Sequence, residues 1–222
     1  MKVIYKLILF LTIINTISLT YKIEIGNVKN NNECQDDTCN IGIVFDTSSD
    51  ILNNQLFIKS KNILQYNLST EIPHFNQVSF TSFNENINIS TFGMFKNKDE
   101  FSEIVKSLKQ SPGFSLSKAL YSVNNLSYTS TNRQSTFVFI SKYDKEEIKK
   151  SIEYAKELWK KGSLNFIIMG DGILPIQLLP LHPSSIYLLT FDKNDTIQLK
   201  SFFYNNLLCF DKDCLKKKDI KY

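Results

Sequence analysis

Short, largely apolar runs alternate with helical stripes along residues 41–210, and this alternation constrains the fold more than any other feature. Ile41-Gly42-Ile43-Val44-Phe45 contains no polar side chain and ends in Asp46. A strand without a polar face has to be covered on both sides. Gln77–Phe83 and Ile87–Phe95 are the next strand candidates, and Asn84-Glu85-Asn86 between them is short enough for a hairpin. Thr136–Ile140, Leu164–Met169 and Ile186–Phe191 complete the set.

The intervening segments carry helical spacing. Leu52, Leu56, Ile63 and Leu64 follow Ser48, Ser49 and Asp50, which read as N-cap residues. Phe101, Ile104, Val105 and Leu108 form an i, i+3, i+4, i+7 stripe that Ser111-Pro112-Gly113 stops. Ser115 is expected to cap a helix through Leu116, Ala119, Leu120, Val123 and Leu126. Asp144 and Glu147 have capping-box spacing ahead of Ile148, Ile152, Ala155 and Leu158, and Gly162 ends that helix. Asn194 or Asp195 opens the last one, with Ile197, Phe202 and Leu207. Strands alternating with amphipathic helices predict one α/β domain over residues 41–210. It is a doubly wound, mostly parallel sheet with one antiparallel edge strand and helices on both faces.

The flanks of that domain speak to its compartment. Lys2 and Lys6 precede the apolar run Leu7–Ile14, and Thr16, Ser18 and Thr20 follow, which is the pattern of a secretory signal over residues 1–20. A retained signal anchor is the competing reading, but the run is short for a bilayer span. Removal of the leader halves the formal charge of +4, so nothing in the balance points to a nucleic-acid partner. Residues 21–40 form a polar lead-in with Cys34 and Cys39, and residues 211–222 a charged tail just after Cys209. No later segment could insert stably in a membrane, because Ile173–Leu189 is broken by Pro175, Pro180, His182 and Pro183. The expected product is secreted and extracellular, with Asn67, Asn88, Asn125 and Asn194 as glycosylation acceptors.

Four cysteines in an oxidising compartment imply two disulfides. Cys34 and Cys39 precede the first strand, and Cys209 and Cys214 follow the last helix, so both pairs belong at the base of the sheet. Bridges from terminus to terminus would each close a long loop. Local bridges, or a tetrathiolate zinc site, are the other arrangements the spacing allows.

Ligands of such sheets bind beyond the C-terminal ends of the strands. The loops there are 46–50, 111–117, 141–144 and 170–172. In the first, Asp46-Thr47-Ser48-Ser49-Asp50 follows the buried strand, and this Asp-x-Ser-x-Asp resembles the Asp-x-Ser-x-Ser that opens a von Willebrand factor type A domain. The hairpin after the first helix, and Pro112-Gly113 before Lys118-Ala119-Leu120, are also similar to that family. The resemblance spans residues 41–210. It implies a metal-ion-dependent adhesion site, where an Asp and two hydroxyls from the first loop, a Thr from the second and an Asp from the third hold a divalent cation.

Three positions depart from that set. Asp50 stands for the second hydroxyl, Phe114 for the Thr and Lys142 for the third-loop Asp. Phe114 has no oxygen, and an ammonium about 4 Å from a cation is repelled by ~4 kcal/mol per unit charge at an effective dielectric of 20. Asp46, Ser48 and Asp50 therefore read as a vestigial metal site, and no cofactor is expected. Lys142 is expected either to take the cation's space and pair with Asp46 or Asp50, or to point into solvent.

Catalysis is harder to assemble. An aspartyl-nucleophile phosphatase needs a second Asp where Ser48 stands. Gly113-Phe114-Ser115-Leu116-Ser117 lacks the second Gly of a nucleophile elbow. His74 and His182, the two histidines, both flank prolines in loops. The expectation is a secreted binding or adhesion module, not an enzyme, acting on an extracellular protein or matrix ligand independently of metal. The alternative is a secreted α/β hydrolase that uses Asp46 and Ser48.

Overall fold

The computed structural model describes residues 39–50, 52–126, 133–192 and 194–208. The leader, the tail, and Cys34, Cys209 and Cys214 lie outside the described residues. β1 (Asn40–Asp46) is buried along its whole length and sits at the centre of the sheet. β2 (Val78–Phe83) pairs parallel on one side of it, and β3 (Ile87–Ser90) closes that edge antiparallel to β2. β4 (Gln134–Ile140), β5 (Gly162–Met169) and β6 (Ser185–Leu189) continue the other side in parallel, giving the order β3-β2-β1-β4-β5-β6. The hairpin turn is tied by Asn84, whose Oδ1 accepts from the Asn86 amide at 2.8 Å.

Alternate residues of β1 feed two different cores. Ile41, Ile43 and Phe45 face a layer made by α1 (Asn54–Asn62), α2 (Lys98–Ser107) and α5 (Asp195–Asn205), rich in phenylalanine. Phe137 stacks on Phe203 at 4.2 Å, and Phe101 meets Phe80 and Phe95 edge-on at 5.8 and 5.4 Å. Val44 faces the opposite layer, made by α3 (Leu116–Asn124), α4 (Lys145–Lys161) and the 3₁₀ turn Pro175–Leu181, which is mainly aliphatic. Gly162 joins α4 to β5 without a side chain because the backbone leaves no room: a Cβ there would lie 1.9 Å from the Gln134 carbonyl oxygen.

Two helix starts differ from expectation, and a third keeps its cap but not its full box. α1 begins at Asn54 with Asn53 as its cap, whose Oδ1 accepts from Leu56 N at 2.9 Å. Ser48 and Ser49 are instead bonded into the loop that leaves β1. Ser115 precedes α3 without a side-chain cap, and the Ser117 amide is met by Glu147 Oε2 from α4 at 3.1 Å. Asp144 does cap α4, accepting from Glu146 N and Glu147 N at 3.0 Å. Because Glu147 is turned toward α3, its side chain does not complete the box.

Candidate functional site: the loop face beyond β1 and β4

Asp46 ends β1 with its carboxylate 1% exposed. Oδ1 accepts from Ser48 N at 2.8 Å, and Oδ2 accepts from both the amide and the hydroxyl of Ser141, at 2.9 and 2.7 Å. The carboxylate thus joins the first loop to the loop after β4, and Ser141 is a partner that sequence reasoning did not assign. Burial pushes the Asp46 carboxyl above the ordinary carboxylate range, and the bonds from Ser48 and Ser141 offset part of that rise.

The second loop is bonded to the first through backbone and one amide side chain. Ser111 N donates to Thr47 O and Ser49 N to Ser111 O, both at 3.0 Å, in a parallel bridge between Ser48 and Ser111. Gln110 Nε2 donates to Ser48 O and Leu52 O at 3.1 and 2.7 Å. Thr47 Oγ1 turns back to Phe83 O at 2.9 Å and accepts from Asn84 Nδ2. Gln110 is a second residue absent from the sequence reading. Its partners are carbonyls some sixty residues away, which no local pattern announces.

Lys142 comes to Asp50, not to Asp46. Its Nζ lies 2.5 Å from Asp50 Oδ2, with the two side chains 24% and 35% exposed. The same ammonium stands 5.9 Å from the centre of the Phe114 ring, which packs on Phe83. That distance is at the outer limit of a cation–π contact. The three positions that depart from the adhesion-site pattern therefore meet at one ammonium.

Neither a family model nor a curated protein matches this sequence. Solved structures do. A von Willebrand factor type A structure from Catenulispora acidiphila superposes with a TM-score of 0.66 at 9% identity, over 77% of this chain and 43% of that one. The fold is von Willebrand factor type A-like. Proximal thread matrix protein 1 from the mussel byssus, with a zinc-occupied MIDAS motif, gives 0.61 at 15% identity over 78% and 47%. The manganese-loaded TRAP protein of Plasmodium vivax gives 0.61 at 15% over 76% and 74%. The chain spans under half the length of the first two, and at these identities the likeness is one of fold.

The fold family implies a divalent cation at this face, and the donor set can be tested against one. Mg²⁺ takes six oxygens in near-ideal octahedral geometry. Here both Asp46 oxygens are engaged by protein donors and Asp50 is engaged by an ammonium. Phe114 contributes carbon, and Lys142 contributes positive charge. Ser48 Oγ is buried without a hydrogen-bond partner among the described residues, one oxygen where several are needed. The residues of this vWA-like face do not fit a hard divalent cation.

They also do not assemble the hydrolase alternative. His74 immediately precedes the 3₁₀ turn into β2, and His182 lies just before β6. Both strands run parallel to β1, so the histidines sit at the opposite end of the sheet from Asp46 and Ser48. Among the sequons, Asn88, Asn125 and Asn194 are exposed and Asn67 is half-buried. Cys39, buried at the foot of β1, is disulfide-bonded. No helix among the described residues is long and apolar enough to cross a membrane.

Proposed function

We propose that this chain is a secreted vWA-type binding or adhesion module that engages a protein or matrix ligand through its 46–50, 111–117 and 141–144 loops, without a divalent cation. The observation that carries the reading is the Lys142 ammonium on Asp50, where the family pattern would have a metal. Proteins of similar fold support the role: a byssus matrix protein and the vWF domain of a pilus tip protein from Porphyromonas gingivalis share it. The apolar leader, the four sequons and the disulfide at Cys39 fit an oxidising, extracellular setting. Terminus-to-terminus bridging gains support at the base, where Leu208 N donates to Ser135 Oγ beside Ile41, two residues from Cys39.

The test is retention of residues 21–222 on surfaces coated with individual extracellular-matrix proteins, in Mg²⁺ and in EDTA. Equal retention in both, lost on Phe114→Ala, is expected. Retention abolished by EDTA contradicts the metal-independent reading, and no retention on any surface contradicts the adhesion reading.

A further inference from the structure

The geometry points to Lys142 as a tethered cation: its ammonium does, by a covalent leash, the loop-joining work that a divalent ion would otherwise do at this face. This rests on the metal-independent reading above and adds a structural role to it. In a cation-centred site, loops from three places in the chain are joined through one positive charge. Here the same three loops converge on Nζ: Asp50 from the first at 2.5 Å, the Phe114 ring from the second at 5.9 Å, and the lysine itself from the third.

Direct bonds complete the joint. Ser141 grips Asp46 one residue before Lys142 grips Asp50, so consecutive residues of the third loop hold both acids of the first. One monovalent charge suits this arrangement because Asp46 needs no counter-ion: it already accepts three hydrogen bonds. Asp50 is the acid left to neutralise, and a single ammonium does that. Asp50, Phe114 and Lys142 then form one coupled change, not three separate losses. Removing the ammonium leaves Asp50 without its partner and the third loop held to the first through Ser141 and Asp46.

The experiment is thermal unfolding of residues 21–222 with and without millimolar MnCl₂, in low salt, for wild type, Lys142→Ala, Lys142→Arg and Lys142→Ala with Asp50→Ala. No binding partner is involved, so the outcome is independent of whether the adhesion reading stands. Wild type and Lys142→Arg should melt alike and ignore Mn²⁺. Lys142→Ala should melt about 2–4 °C lower, the shift expected for ~1 kcal/mol in a domain of this size, and should ignore Mn²⁺ as well. The double variant should melt no lower than Lys142→Ala, because both substitutions remove the same bond. A wild type that Mn²⁺ stabilises overturns the proposal. So does a Lys142→Ala variant that melts like wild type, or a double variant that melts well below Lys142→Ala.

Discussion

The two ends of the sheet are held together by different chemistry. At the C-terminal end two joints carry charge beside the neutral bonds of Gln110 and Thr47: the buried Asp46 carboxylate with Ser48 and Ser141, and the part-exposed Lys142–Asp50 pair. At the N-terminal end a neutral side-chain network stands beside the Lys161 ammonium on the Asn124 carbonyl. Asn165, fully buried, donates to Thr136 O and Ser163 Oγ, while Ser185 Oγ reaches both Asn165 Oδ1 and Asn206 Oδ1. That network fastens the end of α5 to β5 and β6. Buried neutral networks are insensitive to salt and costly to break. A charge pair open to water is screened and contributes only ~0.2–1 kcal/mol. The base is built for permanence, and the loop face keeps the Lys142–Asp50 pair where solvent can reach it.

Substitutions at the two ends should separate in size and in salt response. Asn165→Ala takes the amide donor from Thr136 O and Ser163 Oγ and one of two acceptors from the Ser185 hydroxyl, and should cost about 3 kcal/mol in urea unfolding, equally at low and high salt. Asp46→Asn keeps the shape but turns one acceptor into a donor facing either Ser48 N or Ser141 N. A loss of about 2 kcal/mol is expected, and a variant as stable as wild type would mean the carboxylate does not join the loops. Lys142→Met should cost ~0.5–1 kcal/mol at low salt, and the difference should fade in molar NaCl. A loss that persists in high salt would remove the contrast between the ends.

The smallest effect concerns pH. Burial opposes ionisation of Glu147, but hydrogen bonds from the Ser117 side chain and amide, and from Lys150, outweigh it and hold the carboxyl below its ordinary 4.5. A depressed folded-state value gives stability that is present above 4.5 and lost as pH falls through the folded value. The stability gap between wild type and Glu147→Gln should therefore be full at neutral pH and close in acid. Asp46 has the opposite sign, since its raised value makes ionisation cost stability as pH rises past 3.8. Asp46→Asn should thus approach wild type most closely at neutral pH, where wild type bears that cost in full.

Much of the fold was legible because it depends on local pattern. The wholly apolar run of β1, the stripe through Phe101 and Val105, and the Asp144 cap are each written within a few residues. The loop face was legible only in part. Asp46, Ser48, Asp50, Phe114 and Lys142 could be named from motif and element order, yet whether Lys142 would reach an acid depended on how β1 and β4 align. Ser141 and Gln110 went unassigned because their bonds cross 95 and 62 positions of sequence to reach Asp46 and Ser48. Glu147 was assigned to its own helix because the capping-box spacing is local, while the Ser117 amide it serves belongs to another.

If Lys142 closes this face in place of a metal, isothermal titration of MnCl₂ into wild-type residues 21–222 should give no saturable heat. A one-to-one isotherm that Asp46→Ala abolishes would show instead that the face still holds a divalent ion.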